Sequence, residues 1–150
     1  MVELPLAERR NGRTQLSFHV QSRLAEVPTK QLTTPTGYLV VSTPEATVLD
    51  LVSRPADGGG LDNVAAMLVE LAEEGAIDLA SLAATTGSST VSALRRVGWM
   101  LDKFTHLDVS DLREMASASA PTTLYPHGGR RGPTDADWGL IVNSSVEPDA

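Results

Sequence analysis

The residues able to do chemistry in this 150-residue chain are few and scattered. Cysteine is absent, which excludes disulfides, thiolate nucleophiles and thiolate metal sites. His19, His106 and His127 stand far apart, and none has the helical spacing of a metal-ligating pair, so neither a metal nor a cofactor is expected. No serine occupies a Gly-x-Ser-x-Gly elbow. Gly58-Gly59-Gly60 invites comparison with a phosphate loop but lacks the Lys-Ser/Thr that completes one. Asp135 and Asp137 would share a face if both lay on a strand and could then hold a cation; the plainer reading is a charged loop ahead of a strand. Asp50 and Arg54 are four apart, the spacing of an ion pair on one helix face. These spacings assemble no nucleophile beside a base, and the chain is not expected to be an enzyme.

Arginine is the remaining candidate. It clusters at Arg9-Arg10-Arg13, at Arg95-Arg96 and at Arg130-Arg131. Such pairs are either solvated on turns and helix flanks or form a patch for an acidic partner or a phosphate. The chain as a whole is acidic, with a net charge of -7 and an isoelectric point near 4.8, unlike a general nucleic-acid binder. Its 41% hydrophobic content suits one domain with a real core, and 4% aromatic content makes that core mostly aliphatic. The N-terminus does not read as a signal peptide and no apolar run reaches membrane-spanning length, so a cytoplasmic protein with no membrane partner is expected.

The elements that must position these residues centre on 37–52. Gly37 opens a run, Tyr38 to Val41, that reads as a strand covered on both faces. Thr43 is suited to cap a helix, Pro44 to its first position and Glu45 to its first turn, with Ser42 as the alternative cap. Val48, Leu51 and Val52 recur at helical spacing, so a buried strand–helix joint is expected at the centre of the core. Ahead of it, Leu16, Phe18 and Val20 alternate with polar residues, and Asn11-Gly12 signals a hairpin. A two-residue loop would set Ala7, Pro5 and Glu3 against the apolar strand; a three-residue loop, Arg10 to Gly12, sets Leu6, Leu4 and Val2 there and unites the apolar faces. Pro28 and Pro35 bracket a short strand at 30–34.

Arg54 to Gly60 reads as a flexible loop, followed by a helix whose stripe is Leu61, Val64, Ala65, Leu68, Leu71 and Ala72 and whose stop is Gly75. Asp78 caps a short helix over 79–85 that Gly87 ends. Ser88-Ser89-Thr90 starts another, with Val91, Leu94, Val97, Leu101 and Phe104 as its buried stripe. Gly98 costs that helix about 1 kcal/mol relative to Ala, which implies close approach of another backbone. Ser110 caps a helix reaching roughly 119; strands follow at 124–126 and at 137–143, the second inside a sheet. The predicted class is α+β: a mixed or antiparallel sheet from N- and C-terminal strands, packed on central helices, as one domain over 1–143 with a flexible tail over 144–150.

Thr43-Pro44-Glu45-Ala46-Thr47-Val48-Leu49-Asp50-Leu51, Gly59-Gly60, Arg95-Arg96-Val97-Gly98 and Trp138 to Asn143 together resemble the C-terminal domain of AbiEi-type antitoxins, from bacterial abortive-infection toxin–antitoxin operons of type IV. The resemblance implies an antitoxin that counteracts a cognate nucleotidyltransferase-like toxin. It covers the antitoxin half alone, so the N-terminal winged helix that binds the operator is expected to be missing, by truncation or by nature. For contact with such a toxin the arginine clusters make Arg95, Arg96, Arg130 and Arg131 the first candidates for partner binding, because loss of a buried charge pair costs more than loss of a rim charge. Two other classes stay open: an enzyme with a site assembled from distant residues, such as a kinase acting on the toxin, and a dimerisation or scaffold module. Converging Asp, His and Arg in a cleft would favour the first, and a large flat apolar patch the second. With its acidic balance and no recognition helix, the chain alone should give no salt-sensitive gel shift with operator DNA near physiological ionic strength. A shift under those conditions would contradict this reading.

Overall fold

The first helix, α1 (Pro44–Ser53), starts as its sequence predicts. Thr43 is extended (φ -68°, ψ 161°) and its Oγ1 accepts from the Ala46 N–H at 3.3 Å. Pro44 occupies the first turn, where its missing N–H removes no bond. Ser42 is not the cap; its hydroxyl pairs with that of Thr47 at 2.7 Å. Glu45 does more than meet the helix dipole. It is buried, and its carboxylate accepts from the Asp78 N–H at 3.1 Å, tying α1 to a segment thirty-three residues on. The computed structural model describes residues 7–20, 22–85, 90–116 and 120–148.

The strand leading into α1 departs from expectation. β4 (Gly37–Ser42) pairs antiparallel with β3 (Thr29–Thr34), Leu32 opposite Leu39 and Gln31 opposite Val40. Among the described residues the two strands form a sheet by themselves, and both faces are open: Tyr38 is 73% exposed and Leu39, on the other face, 53%. Among the described residues the buried apolar ones begin at Ala46. The joint is therefore half core and half surface, because an apolar run fixes strand geometry without specifying what lies over it.

The first hairpin also differs. β1 (Arg9–Asn11) pairs with β2 (Thr14–Leu16) in the register Arg9 to Leu16 and Asn11 to Thr14. Its two loop residues are Gly12 and Arg13, so neither register anticipated above is adopted. Gly12, at φ +61°, takes the first loop position, which relieves Asn11 of the positive φ that an Asn-Gly loop would demand. Val2, Leu4 and Leu6, the expected apolar partners, lie outside the described residues. His19 was expected on this outward strand; it lies beyond β2.

Helices build the core. A 3-10 turn (Pro55–Gly58), not a flexible loop, leads to α2 (Leu61–Glu73), which buries Leu61, Val64, Ala65 and Leu68. Gly75, at φ +65°, ends it, and Ala76 N–H donates to Leu71 O at 2.8 Å. Asp78 caps α3 (Leu79–Thr85), its carboxylate accepting from Ser81 N–H at 2.8 Å; the hydrogen bonds from Ser81 hold that carboxyl below its ordinary value. Thr90 caps α4 (Val91–Phe104), accepting from Ala93 N–H at 3.2 Å. Gly87, Ser88 and Ser89 lie outside the described residues. At α5 (Ser110–Ala116) the capping moves: Ser110 is the first helical residue, and Asp108 accepts its N–H at 3.1 Å. The anticipated end of α5, over 117–119, falls outside the described residues.

The expected α+β class holds, with strands of the two chain ends in separate sheets. β5 (Thr122–Thr123), β6 (Thr134–Asp135) and β7 (Leu140–Ile141) form the C-terminal one, with β7 central, parallel to β5 and antiparallel to β6. The strand expected at 124–126 thus lies two residues earlier. The one expected over 137–143 is confined to two residues, since 136–139 form a turn with Gly139 at φ +58°. Asp135 and Asp137 therefore share no strand face. Beyond 143, Val146 packs on the core and Glu147 N–H donates to Asp62 at 2.9 Å.

Helix α4 is the spine. Every residue from Ala93 to Leu101 is buried, far more than the expected stripe, while Val91 stays 46% exposed. Gly98 does meet a neighbour at close range, but it is a side chain: a Cβ there would overlap the six-membered ring of Trp138. Gly98→Ala should lower the urea midpoint although Ala is favoured over Gly by about 1 kcal/mol within a helix. Gly98→Leu should lower it further, with overpacking costing about 1–3 kcal/mol. A raised midpoint for either variant would show that Trp138 does not sit against Gly98.

Candidate functional site

Arg95 and Arg96 follow one another on α4, so they point to neighbouring flanks of a helix that is covered all round. Arg95 is 2% exposed and Arg96 6%. Neither guanidinium faces solvent. Arg95 donates from Nε to Ala116 O at 2.8 Å and from Nη1 to Ala120 O at 3.0 Å, and Nη1 also reaches Gly139 O at 3.5 Å. Ala116 is the last described residue of α5, and its carbonyl is buried. Arg96 donates from Nε to Thr123 O at 2.9 Å and from Nη2 to Thr122 Oγ1 at 3.4 Å. Burial lowers the Arg96 pKa, yet a guanidinium of this kind remains charged. Arg130, exposed on the far side, donates Nη2 to Pro121 O at 2.7 Å. Arg131 is exposed.

Three of the four candidate arginines thus meet on one short segment. Ala120, Pro121, Thr122 and Thr123 accept in turn from Arg95, Arg130 and Arg96. The convergence is real, but it is directed inward. Of the four, Arg130 and Arg131 present themselves at the surface, and Arg95 and Arg96 hold the strand beneath.

The same helix and the C-terminal turn exchange indoles. Trp99, on α4, donates Nε1 to Asp135 at 3.1 Å; Trp138, on the turn, donates Nε1 to Asp102 of α4 at 3.0 Å. Asp102 also pairs with Arg113 at 2.9 Å, and the Arg113 guanidinium lies 5.5 Å from the Trp138 ring centre. The second Asp135 oxygen accepts from the N–H groups of Asp137 and Trp138, at 3.1 and 3.2 Å. Asp135 is committed to folding the turn, and Asp137 contributes its backbone alone.

Acidic and basic groups converge a second time, beside α1. Arg54 reaches Asp50 at 3.1 Å and Asp57 at 3.0 Å, and His19 Nε2 lies 3.2 Å from the same Asp57 oxygen. Two clefts, of about 440 and 370 Å³, open on either side and share Ser42, Asp50 and Arg54. This is the Asp, His and Arg convergence that an enzyme would show. Three of the hydroxyls that line the clefts are engaged elsewhere: Ser42 with Thr47, Ser53 with Leu49 O at 2.9 Å, and Thr90 with Ala93 N–H. The cluster therefore acts as a clasp. It joins the end of α1, the 3-10 turn and the segment carrying His19, and leaves no activated nucleophile among the groups named. Nothing in its spacing beyond Asp50 and Arg54 made it readable from sequence.

The family described as the AbiEi antitoxin C-terminal domain matches this chain over residues 6–103. The chain belongs to that family. It carries an antitoxin domain, and its functional counterpart is a toxin. No curated protein and no solved structure matches it. The AbiEi match takes in both hairpins, α1 to α3 and nearly all of α4, with both clefts and Arg95-Arg96. It stops short of Arg130, Arg131 and Trp138, so the resemblance noted at 138–143 lies outside it. Among the described residues no helix is long and apolar enough to cross a membrane.

The division among the arginines is measurable. Arg95→Ala strands the buried carbonyl of Ala116 and frees that of Ala120, which is exposed; a buried acceptor left unmet costs about 1–3 kcal/mol. Arg95→Lys should rescue little, since an ammonium lacks the fork that reaches both. The double variant Arg130→Ala, Arg131→Ala should stay within about 0.5 kcal/mol of the parent. Urea denaturation followed by circular dichroism checks all three, and equal losses for the two sets would contradict the division.

Proposed function

We propose that this domain neutralises a cognate nucleotidyltransferase-like toxin in the bacterial cytoplasm, and does so by binding or functional antagonism without catalysis. The observation that carries the reading is the AbiEi antitoxin match over residues 6–103, which spans α1, α2 and α3 and almost all of α4. A core of this extent, with Val48, Leu68, Val97 and Leu101 fully buried, supports independent folding of the antitoxin unit. Arg130 and Arg131 are its surface candidates for an acidic partner, while Arg95 and Arg96 act indirectly by fixing the strand on which that surface is built. This assignment refines the four-arginine patch expected from sequence. Engagement of the clasp hydroxyls, described above, supports the non-catalytic part of the reading.

Co-expression of the toxin encoded beside this chain, scored by colony growth, is the test. The chain should restore growth. The Arg130→Ala, Arg131→Ala variant, first shown to fold, should restore it less well. Failure of the intact, folded chain to rescue would refute sufficiency of the domain; full rescue by the double variant would refute the choice of residues.

A further inference from the structure

Among the described residues, the large apolar side chains left in water gather in one region. Apart from Val91 and Met115, they all lie between Leu16 and Val40, and β4 holds three in a row: Tyr38 at 73%, Leu39 at 53% and Val40 at 63% exposure. Among the described residues β3 and β4 form a sheet of two strands. Such a hairpin is marginal in water, and a third or fourth strand with an apolar face is what stabilises one. The two outer edges differ in kind. β3 reads Thr-Lys-Gln-Leu-Thr-Thr between Pro28 and Pro35, and charge and proline are the usual guards against edge pairing. β4 reads Gly-Tyr-Leu-Val-Val-Ser, with neither charge nor proline. An unguarded apolar edge is a template for another strand.

We propose that the free edge of β4 docks a second copy of this chain, β4 against β4 and antiparallel, joining two hairpins into one four-stranded sheet. The side chains specify the register. A two-fold axis normal to the sheet at Leu39 sets Leu39 opposite its own copy and Tyr38 opposite Val40 of the second copy, twice over. Aromatic with β-branched is a favourable cross-strand pair. Leu32 already lies opposite Leu39 within each hairpin. The row across the joined sheet is then Leu32, Leu39, Leu39, Leu32, a continuous apolar strip on one face. Lys30 lies opposite Val41, which meets Gly37 of the second copy, so the two lysines are never opposed. In a chain of net charge -7, an uncharged edge is where two identical molecules meet without facing like charges. The contact is self-complementary, as a closed two-fold dimer requires.

The absence of cysteine makes the register testable by cross-linking. Directly opposed residues of an antiparallel pair have Cα atoms about 4.5–5.5 Å apart, within disulfide reach. The two copies of Leu32 would be three strand spacings apart, about 14 Å, well beyond it. Light scattering after size exclusion should give twice the 15.9 kDa chain mass. Leu39→Lys, which puts two ammonium groups at the two-fold axis, should give the single-chain mass with an unchanged helical signal, since Leu39 lies outside the core. Under a mild oxidant, Leu39→Cys should form a covalent dimer and Leu32→Cys should not. A single-chain mass for the parent at every accessible concentration would overturn the proposal. So would a dimer that survives Leu39→Lys, or cross-linking of Leu32→Cys as readily as of Leu39→Cys.

Discussion

Two guanidinium groups are carried by α4 into a region closed to water, and the fold has to answer them. A buried charge that lacks partners costs several kcal/mol, so each must be surrounded by acceptors. Arg95 and Arg96 find theirs on Ala116, Ala120, Thr122 and Thr123. Ala116 belongs to α5, Thr122 and Thr123 to β5, and Ala120 lies two residues before β5. The helix is thereby an organiser: it helps to fix the path of a chain whose own sheet has three strands of two residues each.

The indole exchange works along the same line. Trp99 gives its N–H to the C-terminal turn and Trp138 gives its own back to α4. Between them Gly98 lets the Trp138 ring settle on the helix backbone. Polar bonds supply direction and the ring supplies contact area, so orientation and packing reinforce one another. The result is a division of the molecule. Helices and the C-terminal segment share one core, while the N-terminal hairpins stand outside it, joined to the helices by groups such as His19 with Asp57 and by Thr43 N–H donating to Pro28 O at 3.0 Å.

What the sequence makes legible is local. The caps at Thr43, Asp78 and Thr90, the stop at Gly75 and the Asp50–Arg54 pair depend on neighbours three or four residues away, and all are present. The need for a close neighbour at Gly98 was readable, but its identity was not, because it lies forty residues on. The burial of Arg95 and Arg96 was missed for the same reason: adjacent arginines read as a solvated flank until distant carbonyls are seen to surround them. One sign was available. Leu94, Val97, Trp99, Met100 and Leu101 place apolar groups around the whole circumference of α4, which leaves no flank for solvent. The exposure of β4 had no such sign, since Tyr38 to Val41 would be written the same way inside a sheet.

If α4 organises the C-terminal segment, the two must open together. Native-state hydrogen exchange reads this directly, through the amides of Val97 and Met100 on α4 and those of Leu124 and Val142, which bond Ile141 O at 2.9 Å and Pro133 O at 2.8 Å. One common opening free energy is expected for both groups, equal to that of global unfolding. Exchange of Leu124 and Val142 through a separate, lower-energy opening while α4 stays protected would contradict it.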